Sequence, residues 1–210
     1  VVVTTIVTPL FLYAHEWGHA LGFWLSGFKP CIGPNNSWPA PPYNNEMTLL
    51  GGLLGPVTSV ALGELFLVAH FLLPIARRWT FAFAIVNFVA HSVFVLKLVL
   101  VLGVSGKLVG SLNDEGMTAL MLPTTETTTE ALRQLVVGVD RSFLLRWQSL
   151  SVIWPLLLIP AISLGLLVWK GRPSDGKRDV SLVVAAVAGA LIGGQISFYL
   201  LTKPSLTMCF

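Results

Sequence analysis

The sequence predicts an all-α protein: a polytopic membrane helix bundle of about five spanning helices, with one short re-entrant helix and one interfacial helix. Apolar residues make up 54% of the 210 positions and charged residues only 11%, whereas soluble domains contain about 25% charged residues. Apolar runs of about 20 residues with at most one charged residue, the length that crosses a bilayer, recur along the chain. The net charge of +3 is small and scattered, so we expect no nucleic-acid partner.

Five apolar segments are predicted to cross the membrane. They are residues 1–28, 49–73, 80–104, 150–169 and 180–201. Repeated Pro and Gly turn signals make 29–48 a predicted connecting loop. Residues 105–123 are too short to span and are predicted to contain a re-entrant helix. The amphipathic pattern of 130–147 predicts a helix lying at the membrane interface.

Small residues recur at intervals of four along three of these predicted spans. The stripes are Ala14, Gly18 and Gly22; Gly51, Gly55, Ser59 and Gly63; and Ala185, Gly189, Gly193 and Ser197. Small side chains let two helix backbones approach closely inside a membrane. We therefore expect close helix packing along each stripe, and the first stripe borders the histidine motif described next.

The most informative stretch is His15-Glu16-Trp17-Gly18-His19, which lies inside the first predicted span. On a helix, His15 and His19 lie one turn apart on one face and can bind the same metal ion. Glu16 lies about 100° round the helix, where a carboxylate can act as a base without being a ligand. These residue types are the parts of a hydrolytic zinc site. Inserting a carboxylate into the middle of a bilayer costs about 2.5–3.5 kcal/mol of free energy. A chance occurrence of the His-Glu-x-x-His pattern in this span is therefore the less favoured explanation.

Two histidines leave a catalytic zinc ion one short of the usual three protein ligands. The candidates for the third ligand are Asp114, Glu115, Glu64 and His91. Asp114 is favoured because it heads the predicted short helix, a segment that is neither an ordinary span nor a purely polar loop. An aspartate at that place could equally serve as a helix N-cap.

Three polar residues inside the second and third predicted spans are candidates to support the metal ligands through hydrogen bonds. Glu64 is predicted to point into the bundle as a hydrogen-bond partner. Asn87 and His91 lie one turn apart, and interhelical hydrogen bonding is favoured over metal ligation for both. An alternative function, a transporter or proton relay, would use these same three side chains.

The cysteines and the basic residues are less informative about the function and the membrane orientation. Cys31 and Cys209 lie far apart in the sequence, and we expect from them neither a disulfide framework nor a cysteine zinc motif. Basic residues are equally numerous on the two sides of the five predicted spans. Their density in two short turns, around Arg77 and in 170–178, favours that side as cytoplasmic.

Three motifs, in this order, resemble those of the site-2 protease family of intramembrane zinc metalloproteases. The segment from His15 to Ala20 matches the HExxHA helix of the family, and Gly55-Pro56 matches the start of its Gly-Pro-x-x-Asn segment. Asp114 lies where the family places the aspartate of its Asp-Gly third-ligand motif. The sequence departs from the family motifs at two positions. Ser59 replaces the asparagine of Gly-Pro-x-x-Asn, and Glu115 stands between the Asp and the Gly of Asp-Gly. Because of the second departure, Asp114 and Glu115 are alternative third ligands.

The resemblance implies a zinc metalloendopeptidase that cleaves the transmembrane segment of another protein. It implies one Zn²⁺ ion bound by His15, His19 and Asp114, with Glu16 as the catalytic base. Asn113 is a candidate for holding the substrate backbone in an extended form. The remaining alternative is a non-catalytic membrane protein of the same fold that binds transmembrane partners and needs neither zinc nor Glu16.

The domain organisation follows from these motifs. We divide the chain into a catalytic membrane core, residues 1–123, and residues 124–210, which add the interfacial helix and two further spans to the same bundle. The sequence thus predicts an integral, multi-pass membrane protein whose partners are the lipid bilayer and a transmembrane protein substrate.

Overall fold

The structure is a computed structural model. It describes residues 2–33, 36–42, 48–73, 77–108, 114–122, 138–170, 184, 188–189, 192 and 208–210. The helices are α1 (Val2–Leu25), α2 (Leu49–Leu72), α3 (Arg77–Ser105), α4 (Asp114–Met121), a 3₁₀ helix (Arg141–Leu145), α5 (Trp147–Ser151) and α6 (Ile153–Lys170). The strands are β1 (Pro30–Ile32), β2 (Ser37–Pro39), β3 (Lys107–Leu108), β4 (Val139–Asp140) and β5 (Met208–Cys209). The predicted helical fold is confirmed, and small sheets accompany it.

Three helical segments are long and apolar enough to cross a membrane. They are Leu49–Leu72, Trp79–Ser105 and Trp147–Leu167, which correspond to the second, third and fourth predicted spans. Helix α1 has 24 residues but is not in this group, because its threonines, histidines and glutamate make it less apolar. Most of the fifth predicted span, 180–201, lies outside the described residues.

Helices α1 and α2 pack antiparallel along their small-residue stripes. A Cβ atom added at Gly22 would collide with the backbone carbonyl of Leu50, and one added at Gly18 would collide with that of Leu54. Only glycine allows the two backbones to come this close. The close packing predicted for the first two stripes is therefore confirmed.

Helix α2 also packs against α3 and α6. Phe66 of α2 stacks on Phe83 of α3, with ring centroids 4.4 Å apart. On α6, Leu167 joins the same buried cluster as Leu67 of α2. Along the chain, α6 runs parallel to α2, whereas α1 and α3 run in the opposite direction.

The bundle therefore has two distinct ends. We call the end that holds the C-terminus of α1, the N-terminus of α2 and the C-terminus of α3 the hairpin end, because β1 and β2 lie there. The opposite end holds the C-termini of α2 and α6 and the N-terminus of α3. At the hairpin end, the Thr48 side chain caps α2 by accepting from the Gly51 N–H at 2.9 Å.

A three-stranded antiparallel sheet, ordered β2-β1-β5, covers the hairpin end. Cys31 of β1 lies directly opposite Cys209 of β5, and the two form a disulfide. The expectation that these cysteines do not pair is wrong, because the return of the chain brings the C-terminal strand beside β1. The predicted loop 29–48 is likewise partly a β-hairpin, since its proline-rich segments lie extended as strands.

The amphipathic segment 130–147 is not a continuous interfacial helix in its described part, residues 138–147. Gly138 has a φ of 95°, a left-handed conformation that interrupts a helix. Val139 then pairs with Leu108 in a short ladder, and the 3₁₀ helix buries Phe143 in the core. Within residues 138–147, a compact turn packs Val139, Phe143 and Leu144 into the cluster that includes Leu98 and Leu102 of α3.

Candidate metal centre

The two motif histidines of α1 face each other across a very short distance. The Nε2 atoms of His15 and His19 lie 3.0 Å apart. The two imidazole rings are nearly perpendicular, at 84°, with centroids 4.6 Å apart. The prediction that the two side chains share one helix face is confirmed, and their binding to one metal ion stays a prediction.

Hydrogen bonds from α2 orient both imidazoles. The Nδ1 atom of His19 lies 2.5 Å from the carbonyl oxygen of Gly51. Because a carbonyl can only accept, Nδ1 of His19 carries the proton, and in the neutral ring the Nε2 atom presents its lone pair.

The same reasoning applies to His15. Its Nδ1 atom lies 2.7 Å from Ser59 Oγ, and that hydroxyl donates to the carbonyl oxygen of Gly55 at 3.3 Å. When Ser59 donates to Gly55, its oxygen can accept from His15 Nδ1–H, and in that tautomer the Nε2 lone pair of His15 points toward His19. Outer hydrogen bonds of this kind are how proteins fix the tautomer of metal-binding histidines.

This donor arrangement fits a metal ion. Without a cation, the two Nε2 atoms, 3.0 Å apart, are at hydrogen-bond distance. When both rings carry their proton on Nδ1, the two Nε2 lone pairs converge and can bind one cation. Zn–N bonds of 2.0–2.1 Å at a tetrahedral angle separate two nitrogens by about 3.3 Å, close to the separation observed. His15 and His19 could thus hold a zinc ion with only a small ring displacement.

Gly55 gives the second imidazole its space. A Cβ atom added at Gly55 would overlap the ring of His19, and its nearest neighbours would be Nε2, Cε1 and Cδ2 of that ring. The Gly-Pro pair singled out in the sequence therefore has a direct structural reason. Its glycine lets α2 lie against the face of a candidate metal ligand.

Glu16 is buried beside the pair and is held by a residue that the sequence reasoning missed. The hydroxyl of Ser37, on β2, lies 3.0 Å from Glu16 Oε2 and 2.8 Å from the Glu16 backbone oxygen. Only 7% of the Glu16 surface is exposed. In the sequence, Ser37 belongs only to the short glycosylation pattern Asn35-Asn36-Ser37, which does not point to Glu16. Only the folding of the hairpin over α1 brings Ser37 and Glu16 together.

The third ligand stays a prediction. Asp114 is the first residue of α4, and α4 packs against α2, the helix that contacts both imidazoles. The side chains of Asp114 and Glu115, and all of Asn113, lie outside the described residues. Within the described part of the chain, no group of three or more His, Cys, Asp or Glu side chains is placed to hold a metal ion.

The other polar candidates make hydrogen bonds elsewhere. Glu64 Oε1 accepts from Ser163 Oγ of α6 at 2.5 Å, which confirms that it points into the bundle. Asn87 is buried, and its Nδ2 donates to the Phe83 carbonyl at 2.6 Å within α3. The interhelical hydrogen bond predicted for this amide stays a prediction. His91, one turn further along α3, is also buried.

No family model, curated protein or solved structure matches the chain. The functional conclusion therefore depends on the residues of this chain and their geometry.

Proposed function

We propose that the chain is an intramembrane zinc metalloprotease that hydrolyses a peptide bond in or near a transmembrane segment of another protein. The observation that carries the proposal is the convergence of two Nε2 atoms, 3.0 Å apart, beside a buried glutamate. The Nδ1 atoms of both rings contact oxygen atoms of α2 that can accept a hydrogen bond, which suits the tautomer needed for metal binding. This arrangement is needed for metal binding, and neither a passive bundle nor a proton relay requires it.

In this proposal His15, His19 and Asp114 hold the zinc ion, with Glu115 as the alternative to Asp114. A bound zinc ion supplies a Lewis acid for the scissile carbonyl and makes water more acidic. Glu16 takes the proton from the attacking water and returns it to the leaving amine. Ser37 orients the Glu16 carboxylate through the hydroxyl contact described above.

The membrane setting is supported by the three apolar helices of spanning length. Large apolar side chains of α1 are also exposed, among them Leu10, Trp17 and Trp24. A soluble protein rarely exposes so much contiguous apolar surface. In a bilayer this surface contacts lipid, and a substrate helix can reach the metal centre from within the membrane.

Metal analysis of the purified protein, combined with a cleavage assay on a transmembrane substrate, tests the proposal. The wild type should contain one zinc ion per chain. Glu16→Gln should keep the zinc and lose cleavage, and His19→Ala should lose both. His70→Ala is the matched control, because His70 is a buried histidine at the opposite end of α2 and its loss should leave the zinc content unchanged. A wild-type protein that binds no zinc would refute the proposal.

A further inference from the structure

We infer that a turn at the hairpin end binds the anionic headgroup of a phospholipid through Lys107, Arg141 and Arg146. The turn comprises residues 106–108 and 138–146, which include β3, β4 and the 3₁₀ helix, and we call it the basic turn. The inference shares with the proposed function only the membrane setting, and it requires neither zinc nor cleavage.

The basic turn lies where two helical segments of membrane-spanning length end. The segment Trp79–Ser105 ends just before it, and the segment Trp147–Leu167 begins just after it. The two segments pack together at this end, because Leu102 of α3 and Ile153 of α6 share a buried cluster with Phe143 of the turn. In a bilayer, residues directly beyond two such apolar segments lie at the depth of the lipid headgroups.

Backbone contacts hold the basic turn in one shape. Gly106 has a φ of 74°, and its carbonyl oxygen accepts from the backbone N–H of Arg141 at 3.0 Å. A Cβ atom added at Gly106 would lie 3.0 Å from Nη2 of Arg141, so the guanidinium group lies over this glycine. Lys107 pairs with Asp140 in the ladder of β3 and β4. The fold therefore brings Lys107 and Arg141, which are distant in the sequence, into one short ladder.

The acidic residue of the basic turn neutralises only part of its positive charge. Asp140 accepts from the N–H and the hydroxyl of Ser142, at 3.0 and 2.5 Å, and lies 3.8 Å from Nη2 of Arg146. Within the described residues, no ion pair joins Lys107 or Arg141 to an acidic side chain. All three cations are exposed, and three positive charges against one negative charge leave a net charge of +2.

Exposed apolar side chains flank these cations. Val104, near the end of α3, exposes 83% of its surface, and Leu145 of the 3₁₀ helix exposes 75%. Trp147, also exposed, is a residue type that favours the membrane interface. Cations beside apolar surface bind a lipid headgroup while the acyl chains cover the apolar residues. An acidic protein segment would match the charge but leave Val104 and Leu145 in water, so the lipid is the favoured partner.

Native mass spectrometry of the purified full chain, titrated with dioleoylphosphatidylglycerol or dioleoylphosphatidylcholine, tests the inference. The wild type should bind phosphatidylglycerol about 25-fold more tightly than phosphatidylcholine, at about fivefold for each of the two net charges. Lys107→Gln and Arg141→Gln should each weaken phosphatidylglycerol binding about fivefold and leave phosphatidylcholine binding unchanged. Arg141→Lys keeps the charge and should keep most of the affinity.

The matched control is Lys29→Gln, which removes the same charge from an exposed lysine of the hairpin end that lies next to β1. It should leave phosphatidylglycerol binding unchanged, and an effect equal to that of Arg141→Gln would overturn the site. Glycerol phosphate, which lacks acyl chains, and a soluble polyglutamate peptide should not displace the lipid. Displacement by glycerol phosphate would assign the turn to a free phosphate, and displacement by the peptide would assign it to an acidic protein segment. Either result would overturn the inference.

The outcomes also separate the inference from the proposed function. If phosphatidylglycerol is preferred as expected but the wild type binds no zinc, the lipid site stands and the protease proposal fails. If the two lipids bind with equal affinity while zinc and cleavage through Glu16 persist, only the inference fails.

Discussion

Gly55→Ala tests the metal centre without touching any metal ligand. In the structure the added methyl group would lie 2.5 Å from Cδ2 of His19, whereas carbon atoms in contact are separated by at least about 3.5 Å. The imidazole would therefore have to move by about 1 Å. Metal–ligand distances tolerate deviations of about 0.2 Å, so His19 could no longer bind the ion held by His15.

We expect Gly55→Ala to lower zinc affinity at least 10–100-fold, the usual effect of misorienting a ligand through its outer contacts, and to lower the cleavage rate in parallel. Competition with a chelator in detergent solution measures the affinity, and thermal unfolding shows whether the bundle still folds. Gly103→Ala is the matched control, because a Cβ there meets nothing within 4 Å. Wild-type zinc affinity in a folded Gly55→Ala protein would refute the geometry of the centre.

Three further predictions concern the surroundings of the proposed zinc site. Ser37→Ala should reduce kcat about tenfold, which corresponds to about 1.4 kcal/mol, because the Glu16 carboxylate loses its hydroxyl donor. The zinc content of this variant should not change, and Ser37→Thr should restore the rate. Ser59→Ala should weaken zinc binding about tenfold, because His15 loses the hydroxyl that contacts its Nδ1 atom. Chelator competition measures the zinc affinity, and an unchanged value would show that Ser59 does not support His15 as a ligand. Asp114→Ala should lose zinc and cleavage while Glu115→Ala keeps both, and the reverse result in metal analysis would make Glu115 the third ligand.

The long helices were predictable because their hydropathy is a local property. Helix α2 matches the predicted span 49–73 almost residue for residue, since a long and mostly apolar run that begins just after Thr48 leaves the chain few alternatives. The register of His15 and His19 was equally predictable, because helical periodicity alone places them on one face. The small-residue stripes predicted the close approach of α1 and α2, although they did not show which glycine would face an imidazole.

The hairpin and the disulfide were not predictable from local patterns. Strands of two or three residues carry little periodicity, and the pairing of Cys31 with Cys209 depends on where the last segment of the chain returns. The amphipathic pattern of 130–147 predicts a helix, but in its described part, residues 138–147, Gly138 and the ladder to β3 give Val139 and Phe143 a different way to become buried. In that segment, tertiary packing outweighed local propensity.

By itself, the sequence determined the helical fold, the motif histidines and their shared face, because these follow from composition and from the repeat of the helix. Only the tertiary structure decided the surroundings of that face. Gly51 and Ser59 orient the imidazoles, Ser37 contacts Glu16, and the disulfide lies at the same end of the bundle. Each of these contacts joins residues that are distant in the chain, and their distances depend on how the helices and strands pack together.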